Sequence, residues 1–374
     1  MLKSFSVNNF RIFDNKTTID FSSTGNYTFN SEAVKNGIAN TVILFGKNAS
    51  GKSSLAYALF DIVSNLTDNY VTPKGYVNYL NAETNQKFAE FEYHFVFNSK
   101  EVTYSYKKAS VNEILAESLV LDGQTVISYD KQSKSSELLL NLSGTENLHT
   151  DLNLIKLSLL KYIKANAVLP KNSNTELFYN LMEFVNKMLL FWSLEDRSFV
   201  GYKQQPSTAI IDSLIQNGHF DGLKKFFKAA GFKDEIIHIN LAGHEQLFFK
   251  FPNKKLVDFN LACSTGMSSL LLFYYWLCDI QDTNKAPSFI CIDEFDAFYH
   301  FELSRFIVEE LKKSNSQVLL TTHNTALLAN DLLRPDCYYI CLKNKIVNTH
   351  NATQKELREG HNLEKLYRGG TFGK

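Results

Sequence analysis

The chain has 374 residues, 44% of them apolar, which is enough to bury a core across two or three structural units and too apolar for a disordered polypeptide. Thirty-nine basic residues balance 39 acidic ones at a pI near 7.1, so no bulk charge draws the chain to nucleic acid or an anionic membrane, although a local basic patch is compatible with this balance. Cys263, Cys278, Cys291, Cys337 and Cys341 lie scattered in apolar surroundings without a CxxC pair or a His at ligand spacing, which reads as free thiols in a reducing cytoplasm rather than disulfides or a zinc site.

The N-terminal stretch MLKSFSVNNFRIF alternates as a strand does and lacks the continuous apolar core of a secretory leader. The most apolar later run, LLLFYYWLC, falls short of the ~20 residues of a membrane span, so no membrane partner is expected and the expected location is cytoplasmic. Strands are predicted in LKSFSVNNFRIF, TTIDF and TVILF, the last leading into a glycine-bounded loop at Gly46. Leu55, Leu59 and Ile62 recur at helical spacing and predict a helix from about residue 53 to 65. AEFEYHFVFNSKEVTYSYKK alternates with period two on both sides of a polar turn, and ESLVLDGQTVISYD does the same around Asp122 and Gly123. The two hairpins predict an antiparallel sheet beside the first helix.

From about residue 152 to 231 the spacing turns helical, in NLIKLSLLKYI, TELFYNLMEFVNKMLLFW and GLKKFFKAAGF, with Gly231 placed to end the last helix. No sustained heptads appear there, so no coiled-coil arm is expected. QLFFKFPNKKLVDFNL returns to strand pairs, and an apolar helix from about Met267 follows CSTG. APSFICIDEFDAF and SQVLLTTHN hold continuous apolar strands of the kind buried on both faces of a parallel sheet, and CYYICLKNKIV reads as a closing edge hairpin. The predicted organisation is an N-terminal segment, 1–150, with the loop and an antiparallel lobe; a helical insertion, 151–240; and a C-terminal segment, 241–374, with the remaining strands of the core.

Gly46, Lys47, Asn48, Ala49, Ser50, Gly51, Lys52 and Ser53, followed by Ser54, fit G-x-x-x-x-G-K-[ST] between a predicted strand and a predicted helix. Glycines let such a loop wrap a phosphate so that backbone amides and the helix N-terminus face its negative charge. Lys52 is then placed to reach the terminal phosphates of ATP, and the Ser53 hydroxyl to ligate Mg2+. FICIDEF adds Asp293 at the end of an apolar strand, suited to hold magnesium, and Glu294 beside it, suited to orient and deprotonate an attacking water. His323 in LLTTHN ends the next strand, where it could sense the terminal phosphate or serve only as a structural residue.

The loop GKNASGKSS, the STG turn opening a helix, ICIDE and LLTTHN, in this order, resemble the ATP-binding-cassette ATPases of the SMC, RecF and OLD branch. Asn9, Phe10 and Arg11, with Asn48 inside the loop, match the NFR and Asn features of that branch. TTHNTALLANDLLRPDCYYI and LEKLYRGGTFG look like the C-terminal pattern of stand-alone ATPases from bacterial abortive-infection and phage-defence operons. The fold implied is an α/β P-loop NTPase head of the ABC type, a mixed core sheet plus an antiparallel β lobe, with a helical insertion.

The resemblance also implies that Lys52, Ser53, Asp293, Glu294 and His323 act as described and that Arg11 approaches the nucleotide phosphates. It implies that Ser264 and Gly266 form a signature turn acting on ATP held by a second copy, in a homodimer or higher homo-oligomer. Asp296 matches the loop that communicates between the two sites. Met267 departs from the basic or polar residue usual after the signature glycine. Gln86 and Gln124 remain alternatives for a metal-sensing glutamine, and His300 is open to a site role or a helix-capping one.

The reading that follows is an ATP-hydrolysing subunit of a two-component antiphage system controlling a separate, nuclease-like effector. It rests on the lack of a long coiled coil, the short stretch after the head and the lack of a second acidic cluster. The alternative, a RecF-like repair ATPase that binds DNA directly, calls for a basic surface that the net charge does not indicate. A transporter ATPase would carry a fuller LSGGQ signature than ACSTGM.

Overall fold

The computed structural model describes residues 1–69, 76–133, 138–148, 158–192, 198–202 and 210–373. Two seven-stranded sheets enclose one helix. In the core sheet the strands run in the order Ser198–Gly201, Met188–Trp192, Phe289–Asp293, Gln317–Thr322, Thr41–Phe45, Tyr338–Leu342, Lys345–Asn348. Its five inner strands are parallel and its two outer ones antiparallel. TVILF, FICID and QVLLTT are buried at every position, as strands covered on both faces must be.

The second sheet is antiparallel throughout, ordered Leu139–Leu140, Gln124–Asp130, Glu113–Leu121, Lys100–Ser110, Ala89–Phe97, Leu2–Asn8, Thr17–Asp20. Both expected hairpins form. Asn98 and Ser99 turn the first, Asp122 and Gly123 the second, all with positive φ, which matches the twist of two-residue hairpin turns.

The helix Lys52–Leu66 lies between the sheets. Leu55, Ala56, Ala58, Leu59, Phe60, Ile62 and Val63 are all fully buried, so the stripe read from Leu55, Leu59 and Ile62 captures only one of two apolar faces. Halfway along this helix, Asp61 accepts hydrogen bonds from Tyr79 (3.1 Å) and Tyr106 (2.9 Å) and pairs with Lys108 at 3.0 Å, both ions buried. With the Tyr93 hydroxyl donating to the Ala58 carbonyl at 3.0 Å and the Asn65 amide donating to the Tyr104 hydroxyl at 2.6 Å, these bonds fix the helix against the lobe in rotation and height.

Three sequence expectations change. The strand at the N-terminus stops at Asn8, because Asn9 and Arg11 adopt left-handed backbone, φ 53° and 50°. MLLFW, read as the end of a helix, is the strand Met188–Trp192 following the helix Ser173–Asn186. A short apolar run satisfies either period, and pairing with Phe289–Asp293 decides it. Residues 153–157 of NLIKLSLLKYI lie outside the described residues, and the helix there runs Leu159–Asn166 with Ser158 as its cap. Elsewhere the helical stretch also holds Ile210–Gln216 and Phe220–Ala229, and Gly231 takes the left-handed φ of 92°. A three-stranded antiparallel sheet, Glu235–Leu241, His244–Lys250 and Leu256–Asp258, precedes the helix Thr265–Gln281. Its first strand is an addition to those expected.

Candidate nucleotide site

The loop of residues 46–53 joins the central strand Thr41–Phe45 to the buried helix. A Cβ at Gly46 would fall on the Ser50 hydroxyl and 3.0 Å from the Cys341 carbonyl, and Gly51 caps the helix at φ 108° with the Phe13 ring 3.1 Å from a Cβ position. Both glycines are therefore required by space or by conformation. Lys47, Asn48 and Ala49 form an exposed crest, with Ala49 left-handed at φ 61°. Lys52 is buried, its Nζ donating to the Gly46 carbonyl at 2.9 Å and the Lys47 carbonyl at 3.3 Å, and Ser54 is buried one residue past Ser53. Cys341 backs the loop with its Sγ 3.2 Å from the Ser50 carbonyl, and burial pushes this thiol up while the nearby Lys52 charge pulls it down.

Across the sheet, the Ser53 hydroxyl donates to Asp293 Oδ2 at 2.7 Å, and the Thr321 hydroxyl donates to Asp293 Oδ1 at 2.6 Å. Glu294, half-buried, stands at φ 48° with its N–H donating to Thr321 Oγ1 at 2.8 Å. Asp296 is buried in the turn that follows, its carbonyl accepting from the Tyr299 N–H. His323 is exposed at the end of the strand lying between the loop strand and the acid strand. Lys52, Ser53, Asp293, Glu294 and His323 thus gather at one end of the parallel core, although some 240 residues separate loop from acids in sequence.

Arg11 is brought to the same region by its left-handed turn. Its N–H bonds the Tyr79 carbonyl at 3.1 Å, its carbonyl accepts from Asn81 at 2.7 Å, and its guanidinium lies 4.8 Å over the Tyr57 ring of the loop helix. Gln86 sits on the loop clasped by Asn9, whose side chain donates to the Gln86 carbonyl, whereas Gln124 is exposed at the tip of the second hairpin. His300 caps the helix Phe301–Lys312, Nδ1 accepting from the Leu303 N–H at 3.2 Å, the capping role among its two options. Ser264 is exposed and caps the helix Thr265–Gln281 through Met267 N–H at 3.2 Å. Gly266 lets that helix pass close to the segment after the acids, since a Cβ there would stand 3.0 Å from the Phe298 carbonyl.

The sequence reading omits Thr321, Tyr57 and Cys341, which hold the acids, Arg11 and the loop. The first Thr of LLTTHN is the one visible trace of this: a hydroxyl in an aliphatic strand needs a partner. A cleft of about 330 Å3 lies on the solvent face of the antiparallel lobe among Ser6, Glu92, Ser105, Lys107 and Asp130 and shares no residue with the loop.

The donor set fits a triphosphate with magnesium. Among the described residues Lys52 is held only by carbonyls of its own loop and the Ser50 hydroxyl is buried without a hydrogen-bond partner, and a hydroxyl and a carboxylate converge as the hard oxygen pair Mg2+ takes. A glycine-bounded loop between a parallel strand and a helix, with an acid at the end of a neighbouring strand, defines a P-loop ATPase head of the ABC type.

A family described as "AAA domain, putative AbiEii toxin, Type IV TA system" matches residues 42–329, and the chain belongs to this family of ATPases. No curated protein matches the sequence. Among solved structures, the SMC head domain from Thermotoga maritima is similar at 15% identity and a TM-score of 0.42, covering 92% of this chain and 97% of that one. An SMC head bound to the C-terminal winged-helix domain of ScpA gives 15% and 0.48 over 92% and 96%. The recombination mediator RecF with ATP gives 15% and 0.41 over 92% and 98%. At these TM-scores the likeness is remote. No helix among the described residues is long and apolar enough to cross a membrane.

Proposed function

We propose that this chain is the regulatory ATPase of a bacterial antiphage, abortive-infection system, acting in the cytoplasm as a nucleotide-linked pair of copies that controls a separate, nuclease-like effector. The observation that carries the ATPase chemistry is the meeting of the Ser53 hydroxyl with Asp293 at 2.7 Å, with Glu294 next along the chain. The family description, which names a toxin of a toxin–antitoxin system, supports the two-component part of the reading.

In this reading the loop amides and Lys52 hold the phosphates of ATP, and Arg11 approaches them from the side. Ser53 and Asp293 hold magnesium, which supplies charge neutralisation at the terminal phosphates. Glu294 takes a proton from the attacking water, and His323 senses the terminal phosphate. Ser264, exposed at a helix N-terminus, together with Gly266, closes on the nucleotide of the second copy, and Asp296 communicates between the two sites.

Three preparations test this: wild type, Glu294→Gln and Lys52→Ala, each assayed for ATP binding, turnover and ATP-dependent pairing by light scattering. Glu294→Gln is expected to bind ATP, pair and hydrolyse at least ~100-fold more slowly, as loss of a general base does. Lys52→Ala is expected to lose binding. Normal turnover in the first variant or normal binding in the second refutes the respective role. Copurification of the tagged chain from its own operon without any companion protein refutes the two-component reading.

A further inference from the structure

We infer that Thr321 is a positioning residue for hydrolysis, a single side chain that sets both acids at the end of the Phe289–Asp293 strand. This rests on the roles proposed above for Asp293 and Glu294.

The parallel ladder between Phe289–Asp293 and Gln317–Thr322 runs from Phe289 opposite Gln317 to Ile292 opposite Leu320. Beyond it the ladder between these two strands ends, although Asp293 still pairs with Trp192 on its other side, and Thr321 takes over. Its hydroxyl proton goes to Asp293 Oδ1 at 2.6 Å. The same oxygen accepts the Glu294 N–H at 2.8 Å, and the Thr321 carbonyl accepts the Phe295 N–H at 3.2 Å. One fully buried residue thus fixes three consecutive ones, and its hydroxyl uses both its donor and an acceptor site.

Two consequences follow for the chemistry. With Oδ1 engaged by Thr321, the Asp293 carboxylate presents Oδ2 to Ser53, where a metal ligand is needed. With its N–H engaged, Glu294 is held at φ 48°, a left-handed conformation that a residue with a Cβ adopts only when its surroundings compel it. The direction of the Glu294 side chain is therefore set from the neighbouring strand. Valine has the shape of threonine without the hydroxyl. It would leave the Asp293 oxygen and the Glu294 N–H without this partner while filling the same space.

Wild type, Thr321→Val and Thr321→Ser are compared, with Glu294→Gln alongside. The readouts are ATP affinity without metal, Mn2+ affinity of the ATP-bound protein by electron paramagnetic resonance, and kcat with KM. Thr321→Val is expected to keep metal-free ATP affinity while Mn2+ affinity falls ~10-fold or more, the usual cost of losing a partner behind a metal ligand. Its kcat is expected to fall by about 10–100-fold through misplacement of the acids. Thr321→Ser, which keeps the hydroxyl, is expected to restore both.

Wild-type Mn2+ affinity and kcat in Thr321→Val, in a preparation where Glu294→Gln is inactive, overturn the inference and leave the acid assignment standing. Normal turnover in Glu294→Gln overturns the acid assignment and this inference with it. If Thr321→Val does not fold, Thr321→Cys takes its place: it lacks the methyl group, as Thr321→Ser does, and offers only a weak donor. The folded Cys variant is expected to show the same two losses, and wild-type values in it overturn the inference.

Discussion

Replacing Lys108 with Met removes the one cation bonded to Asp61 among the described residues and leaves the volume nearly filled. Lys108 Nζ stands 3.0 and 3.3 Å from the two Asp61 oxygens, with side-chain exposures of 1% and 0%. At 3.0 Å the attraction of such a pair is about 5–6 kcal/mol at an effective dielectric of ~20. The variant leaves Asp61 buried with the Tyr79 and Tyr106 hydroxyls as its side-chain donors among the described residues, so the expected loss is about 3–5 kcal/mol, the range for a buried pair deprived of one partner. That corresponds to a fall in Tm of about 4–6 °C in a chain of this size. Urea unfolding followed by circular dichroism, together with calorimetry, measures it. The double variant Asp61→Asn with Lys108→Met should recover more than half of the loss, because no ion is then left buried while the tyrosines keep an acceptor. A single-variant loss under ~1 kcal/mol, or a double variant no better than the single, refutes the argument that this pair anchors the helix.

Gly46→Ala should weaken ATP binding at least ~10-fold while costing only about 1–3 kcal/mol of stability, since the new methyl group meets the Ser50 hydroxyl and a backbone carbonyl fixed in the sheet. Nucleotide titration and thermal melting check this, and unchanged affinity refutes it. Glu117 accepts from Tyr104, Tyr129, Ser158 and the Leu159 N–H, yet burial raises its carboxyl above the usual 4.5. A raised folded-state value means that its contribution is full below pH 4.5 and is lost as pH rises through the folded-state value. Glu117→Gln mimics the protonated form, and the hydroxyls of Tyr104 and Ser158 can turn to accept from its amide. The stability of wild type relative to this variant, from urea unfolding at pH 4 to 8, should therefore decline as pH rises; a flat or rising difference refutes it.

Local chemistry made much of the head readable. The glycine spacing around Lys52, the acids closing FICID, and the Asp122–Gly123 hairpin each express a short-range requirement, and each forms where it was expected. Contacts between segments far apart in the chain were not readable. MLLFW is a strand because Phe289–Asp293 lies beside it, and no property of the five residues alone distinguishes that from the end of a helix. Tyr57 looks like one more core aromatic until Arg11 is seen over its ring. Asp61 and Lys108 would pass for solvated charges until the second sheet closes over the helix. Thr321 sits in a strand whose apolar character was the signal used, and that signal hid its hydroxyl.

The strand that feeds the phosphate loop, Thr41–Phe45, is flanked by Gln317–Thr322 and Tyr338–Leu342. During synthesis it therefore waits for Gln317–Thr322 and Tyr338–Leu342 to leave the ribosome before its edges are paired. A stalled or prematurely cut product retains the glycine-rich motif but has no sheet to brace it. Bracing of the phosphate loop is in this way tied to synthesis of Gln317–Thr322 and Tyr338–Leu342, so copies cut before these strands cannot stand in for longer ones.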